Sequence, residues 1–264
     1  MTIKKKLHTL IVFLALILIC SISCTRGIQI SSADDSILLN SNIAYESQKE
    51  LFWQIYIMNS EGTGQTNLSN NDFDEGNVSW LPDGKKLTFV SNRSGHYQIY
   101  VMNSDGTGQV NLSNNNFLNW HPAWSPDGKK IAFESRHYLD RSDYGKRQIY
   151  IMDMNGLNQI NISNNDVIDR HPAWSPDGKK IAFESYRDGH YQIYIMNSDG
   201  TNQTNISNNK YDDWYPSWSP DGKKIAFTSS RDGHYQIYLM DSDGKNQENI
   251  SNNTSMNSSP AWSK

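Results

Sequence analysis

Past residue 24 the chain has no cysteine, since both of its cysteines, Cys20 and Cys24, lie near the start of 264 residues. That excludes a disulfide framework, so the rest must be held together by its core. No apolar run is long enough to span a bilayer, which takes about 20 residues; the longest, Leu7–Ile22, falls short. Positive charge is not in excess: 24 Lys and Arg stand against 28 Asp and Glu, a net charge of −4. Nucleic acid, which selects a basic face, is therefore not an expected partner. No stretch of useful length carries a 3.6-residue apolar period, and neither a Gly-x-Ser-x-Gly elbow nor an EF-hand loop occurs.

The first residues read as a leader. Met1-Thr-Ile-Lys-Lys-Lys followed by a short apolar core is the pattern of a secretory signal peptide, here residues 1–23. Ser21-Ile22-Ser23-Cys24 resembles the lipobox of bacterial lipoproteins. That resemblance implies cleavage before Cys24, lipidation of Cys24 and attachment to a membrane through the lipid. Ser21 departs from the pattern, where Leu is usual, and an ordinary signal peptide is the alternative. In a diderm organism, Thr25 in place of Asp favours the periplasmic side of the outer membrane. Loss of Lys4, Lys5 and Lys6 with the leader takes the net charge to −7. Residues 24–42 are expected to form a lipidated tether.

What is abundant is repetition. "HPAWSPDGKKIAFES" stands at His121–Ser135 and again, unchanged, at His171–Ser185. Its tryptophan recurs at Trp80, Trp124, Trp174, Trp218 and Trp262, with spacings of 44, 50, 44 and 44. Gln-Ile-Tyr and Asn-(Leu/Ile)-Ser recur in step, and the long interval comes from extra residues between Ser135 and Gln148. Each unit reads as four short strands, "PAWS", "KIAFES", "QIYIMN" and "QTNIS", joined by Asp-Gly turns. Ile193-Tyr-Ile-Met196 is apolar throughout, as in a strand buried on both faces. A period near 44 with four strands per period predicts an all-β fold: a β-propeller over residues 43–264 with five four-stranded blades. Unit one lacks its first strand and the chain ends on a spare one, so Pro260–Ser263 is expected to pair with the amino-terminal blade and close the ring as a monomer.

"PAWSPDGKKIAF", "SYRDGHYQIYIMNSDG" and "NIS" resemble the propeller repeat of TolB-like proteins over nearly all of residues 43–264. TolB itself is periplasmic, and its six-bladed propeller follows an α/β domain and partners a peptidoglycan-associated lipoprotein. The resemblance therefore implies a non-catalytic protein-binding scaffold of the cell envelope, gripping an envelope protein or peptide. Five repeats, a lipid anchor and no room for the α/β domain depart from TolB. Prolyl-peptidase relatives share the repeat, so the fold alone does not give the function.

Comparison of the copies locates a candidate site. The turns are near-invariant, but the residues before "PAW" vary: Gly76-Asn77, Trp120-His121, Arg170-His171, Trp214-Tyr215 and Ser258-Ser259. The candidate ligand-binding residues at the channel mouth are Trp120, His121, Arg170, His171, Trp214 and Tyr215. Aromatic rings there can stack on a sugar or hold a side chain, and Arg170 can pair with a carboxylate. A carbohydrate-binding propeller is the alternative function. His121 and His171 sit on neighbouring blades, but spacing fixes no third ligand, so no metal and no cofactor are expected. Glu134 and Glu184, within the repeated "FES", read as framework, as do His96, His190 and His234 of "GHYQ".

Overall fold

The protein is described by a computed structural model covering residues 42–49, 51–137 and 146–263. The leader, Cys24 and the tether up to residue 41 lie outside the described residues, as do residues 138–145 of the long insertion. Every regular element described is a strand. β1 (Asn42–Lys49), β2 (Phe52–Asn59) and β3 (Thr66–Asn67) make a three-stranded antiparallel sheet. Four four-stranded sheets follow. They are β4 (Glu75–Trp80) to β7 (Val110–Asn111), with β5 (Lys86–Ser91) and β6 (Gln98–Asn103) between, and β8 (Phe117–Trp124) to β11 (Ile160–Asn161), with β9 (Lys130–His137) and β10 (Gln148–Asp153). The last two are β12 (Asp169–Trp174), β13 (Lys180–Ser185), β14 (Gln192–Asn197) and β15 (Thr204–Asn205), then β16 (Asp213–Trp218), β17 (Lys224–Ser229), β18 (Gln236–Asp241) and β19 (Glu248–Asn249).

The repeated phrases are hydrogen-bonding parts of each blade. In the fourth blade Ser207 Oγ accepts from Ile193 N and donates to Gln192 Oε1, which also accepts from Asn209 N. The same clasp forms at Ser69, Ser113, Ser163 and Ser251, which accounts for the Asn-x-Ser phrases as framework. His96, His190 and His234 each meet one backbone carbonyl, of Asn115, Asn209 and Asn253 respectively. In the "PDG" turns Asp127 Oδ1 accepts from Ser125 Oγ and Lys129 N. Each of these groups is occupied in holding a loop.

Blades join through four apolar seams. One packs Ile55 and Leu68 against Leu87, Phe89, Tyr100 and Met102. Another packs Ile193, Ile195 and Ile206 against Trp218, Ile225, Phe227 and Met240. At each of these seams a turn glycine comes close to the preceding blade. Gly200, at φ +88°, would put a Cβ 2.4 Å from the carbonyl oxygen of Ile162, so only glycine fits there.

A fifth seam, between the last blade and the first, is not formed among the described residues. Gly62 holds the equivalent turn position and meets nothing within 4 Å. Ile250 is 52% exposed, whereas its counterpart Ile206 is 5% exposed. The first sheet keeps three strands, and Pro260–Ser263 forms no strand. The expected pairing of the carboxyl end with β1 is therefore not seen. Trp262 Nε1 donates instead to Ser217 O of the last blade, repeating the bonds of Trp174 to Ala123 O and Trp218 to Ala173 O. The segment thus docks on the blade before it.

The difference between the seams is measurable. Ile206→Val is expected to cost about 0.5–1.5 kcal/mol in urea unfolding, the usual range for a buried site. Ile250→Val should cost less than about 0.5 kcal/mol, as an exposed site does. Equal costs would show that the fifth seam is sealed in solution.

Candidate functional site

The inner strands do not run straight. Their pairing with the second strand slips between Gly76 and Ser79, Trp120 and Ala123, Arg170 and Ala173, and Trp214 and Ser217. A bulge is where a proline can sit inside a sheet, because no ladder bond is asked of it. Pro122, Pro172 and Pro216 occupy these places, with Val78 in the first copy. The residue before each one has left-handed backbone: Asn77 at φ 49°, His121 at 50°, His171 at 51°, Tyr215 at 53° and Ser259 at 57°. Glycine would take this conformation without strain, whereas a non-glycine residue pays about 1–2 kcal/mol. The chain puts a polar or aromatic side chain there in all five cases, of four different kinds.

Neighbouring blades hold the strained N–H groups. Asn77 N donates to Glu46 Oε1 at 2.6 Å, Tyr215 N to Glu184 Oε1 at 2.8 Å and Ser259 N to Thr228 Oγ1 at 3.0 Å. His121 N reaches Asn77 Oδ1 at 3.4 Å. The five residues line one concavity of about 300 Å³ at the channel mouth, floored by Pro122, Pro172, Pro216 and Pro260. A second cavity, of about 490 Å³, is lined by Trp80, Trp124, Trp174, Trp218 and Trp262 and shares Ala123 and Ser217 with the first.

Glu134 and Glu184, both fully buried, back the mouth. Glu134 Oε2 lies 3.0 Å from His121 Nδ1, and its other oxygen accepts from Arg147. Burial pushes the Glu134 carboxyl up, but His121 and Arg147 outweigh it, so the group lies below the usual carboxylate range. Burial is also the main reason that His121 lies below the ordinary imidazole value, with His171 adding to it and Glu134 opposing. Glu184 Oε1 lies 2.8 Å from His171 Nδ1, off the line of a good hydrogen bond, and Arg170 approaches Oε2 at 3.6 Å. Glu184 Oε2, His171 Nδ1 and Arg170 Nε are buried without a hydrogen-bond partner. Such a local deficit is unusual in a folded protein.

The bulge separates the six residues expected at the mouth into two sets. His121, His171 and Tyr215 line the concavity together, with the His171 and Tyr215 rings 4.7 Å apart. Trp120, Arg170 and Trp214, one residue earlier, are not among the groups lining it. Trp120 packs against a buried seam, with Tyr97 at 6.1 Å and the Arg147 guanidinium 4.7 Å above its ring. Arg170 lies 4.3 Å over Tyr191, and Trp214 sits between Tyr191 and Tyr235. Asn77, Ser259, Glu134 and Glu184 complete the site. The signal for the glutamates is a charged residue inside an otherwise apolar strand, at a position that reads Glu46, Val90, Glu134, Glu184 and Thr228 across the copies.

A chain of twisted four-stranded sheets around a lined channel defines a β-propeller repeat protein. The profile of the TolB beta propeller domain matches residues 40–142, 107–215 and 145–264, and the chain belongs to that family. Among solved structures, a TolB-type protein of Agrobacterium tumefaciens is 26% identical, with a TM-score of 0.63, over 74% of this chain and 73% of its own. TolB of Acinetobacter baumannii is 23% identical, with a TM-score of 0.65, over 81% of this chain but 53% of its own. An oligogalacturonate lyase in complex with manganese shares the fold at 15% identity, with a TM-score of 0.62, over 80% of this chain and 62% of its own. No functionally curated protein matches the sequence significantly.

Proposed function

We propose that the protein is a non-catalytic scaffold of the cell envelope, exported and lipid-anchored through Cys24, whose channel mouth grips an envelope protein or peptide. The observation that carries this reading is the set of left-handed residues, Asn77, His121, His171, Tyr215 and Ser259, on one repeated framework. Left-handed backbone kept at one ring position, with four kinds of side chain over the five copies, suits recognition of one asymmetric ligand. The basic-then-apolar leader and Ser21–Cys24 support export and the anchor. Membership of the TolB propeller family supports a protein partner.

The carbohydrate reading is the weaker one. It needs exposed aromatic platforms, and the mouth offers Tyr215 alone, because Trp120 and Trp214 stack on neighbouring side chains.

Tyr215→Gly tests the protein-binding reading. It removes the ring while relieving left-handed strain, so thermal stability should hold or rise, by up to about 1 kcal/mol. Capture of the partner that the wild-type protein retains from an envelope extract should fall at least tenfold. Full capture by a folded Tyr215→Gly protein would remove the mouth as the binding site.

A further inference from the structure

We propose that His121 and His171 bind one divalent cation of the zinc class through their Nε2 atoms, with Glu134 fixing the His121 ring from behind and Glu184 beside the His171 ring. Sequence spacing offered two histidines on adjacent blades and no third group. The fold adds Glu134: one ligand atom each of His121, Glu134 and His171 lies within 4.8 Å of the other two.

The arrangement is a chain of four groups, hydrogen-bonded at its Glu134 end. Glu134 Oε2 is 3.0 Å from His121 Nδ1, His121 Nε2 is 3.1 Å from His171 Nε2, and His171 Nδ1 is 2.8 Å from Glu184 Oε1. At His121 the Glu134 carboxylate keeps the imidazole proton on Nδ1 and leaves a lone pair on Nε2, as behind most metal-bound histidines. The His121 Nε2 lone pair then faces His171 Nε2, 3.1 Å away, and an ion held between the two nitrogens would be bound by both. With bonds of about 2.0–2.1 Å, two nitrogens at this separation subtend about 100° at the ion, close to a tetrahedral angle. Imidazole ligands select zinc, cobalt, nickel or copper over magnesium and calcium. Glu134 stays behind the His121 ring, and His121 and His171 both line the concavity at the mouth.

This inference stands apart from the partner reading, since metal binding is measured on the protein alone. The full chain, stripped with chelator, is titrated with zinc chloride by calorimetry and with cobalt(II) by visible absorption. One ion per chain is expected, with cobalt bands of a nitrogen-ligated tetrahedral site. His121→Gln and His171→Gln should each weaken binding at least tenfold. Glu184→Gln, which keeps an acceptor for Tyr215 N but removes the carboxylate beside His171, should weaken it by about tenfold while the cobalt bands remain. His190→Gln, whose imidazole holds the Asn209 carbonyl, should change nothing. Where a variant fails to fold, the imidazole nitrogen shifts of the wild-type protein on adding zinc replace it, and only two histidines should respond. Absence of heat and of cobalt bands in the wild-type protein, or binding that survives in the folded double variant, would overturn the site.

Discussion

Phe183→Ala is expected to lower the free energy of unfolding by about 3–5 kcal/mol, the range for truncating a fully buried aromatic. Phe183 has no exposed surface and lies in the seam between the third and fourth blades. It packs there with Ala132, Ile149, Ile151 and Ile162 from one blade and Ile181 and Met196 from the next. Its ring is also 5.9 Å from that of Tyr194. Neither rigid sheet can collapse into the void, so the cavity persists and the cost stays high. The same position in the first blade is Tyr45, which is only half-buried and has no preceding blade against it. Tyr45→Ala should therefore cost clearly less. Urea unfolding of the two variants checks this. A Phe183→Ala cost below about 1 kcal/mol would mean that the seams do not hold the fold.

Arg231→Met is expected to cost about 3 kcal/mol or more at pH 7.5, because it strands a buried carboxylate. Arg231 reaches Asp213 through Nη2 at 3.3 Å, Ser229 Oγ through Nε at 2.8 Å and Gln247 Oε1 through Nη1 at 2.9 Å. Its guanidinium lies 4.2 Å over the ring of Tyr238. Burial already holds the Asp213 carboxyl above its usual range, against the pull of Ser229 and Arg231. A raised carboxyl favours the folded state at low pH, and that contribution is lost as pH rises through the folded value. Without Arg231 the value rises further. The penalty should thus shrink on going from pH 7.5 to pH 5, where Asp213 can hold a proton. The double change Asp213→Asn with Arg231→Met should recover part of the loss at pH 7.5. A penalty independent of pH and unrelieved in the double variant would show that the charge pair is not the cause.

That pair was readable in the sequence. An acid stands at Glu75, Asp169 and Asp213 where Arg93, Arg187 and Arg231 lie two residues past the second-strand serine. Where that residue is His137, the inner position is Asn119. The blades themselves were legible for a plain reason: Asp-Gly turns and unbroken apolar strands are local signals. The bulge was not. A residue before proline normally avoids helical backbone and reads as extended, so Trp120 and His121, or Arg170 and His171, looked like joint members of one mouth. Left-handed backbone at the second of each pair turns them to different surroundings. Glu134 and Glu184 were hidden by repetition, since identical "FES" phrases suggest scaffolding. Their role depends on which residue of the next blade comes within reach, and no local pattern encodes that.

The failed pairing at the ends has a similar cause. A terminal Pro-Ala-Trp-Ser can satisfy its tryptophan on the blade behind it, through Ser217 O, without completing the one ahead. Asn77, His121, His171 and Tyr215 keep their places all the same, because each is fixed by its own bulge.

The most direct measurement of the account places a photoreactive side chain at Tyr215 in the protein expressed in its own cells, with Lys129 of the opposite turn as the matched position. The account predicts a discrete cross-link to one envelope protein from position 215 and none from position 129. Cross-links of equal strength from both positions, or from 129 alone, would contradict recognition at the mouth.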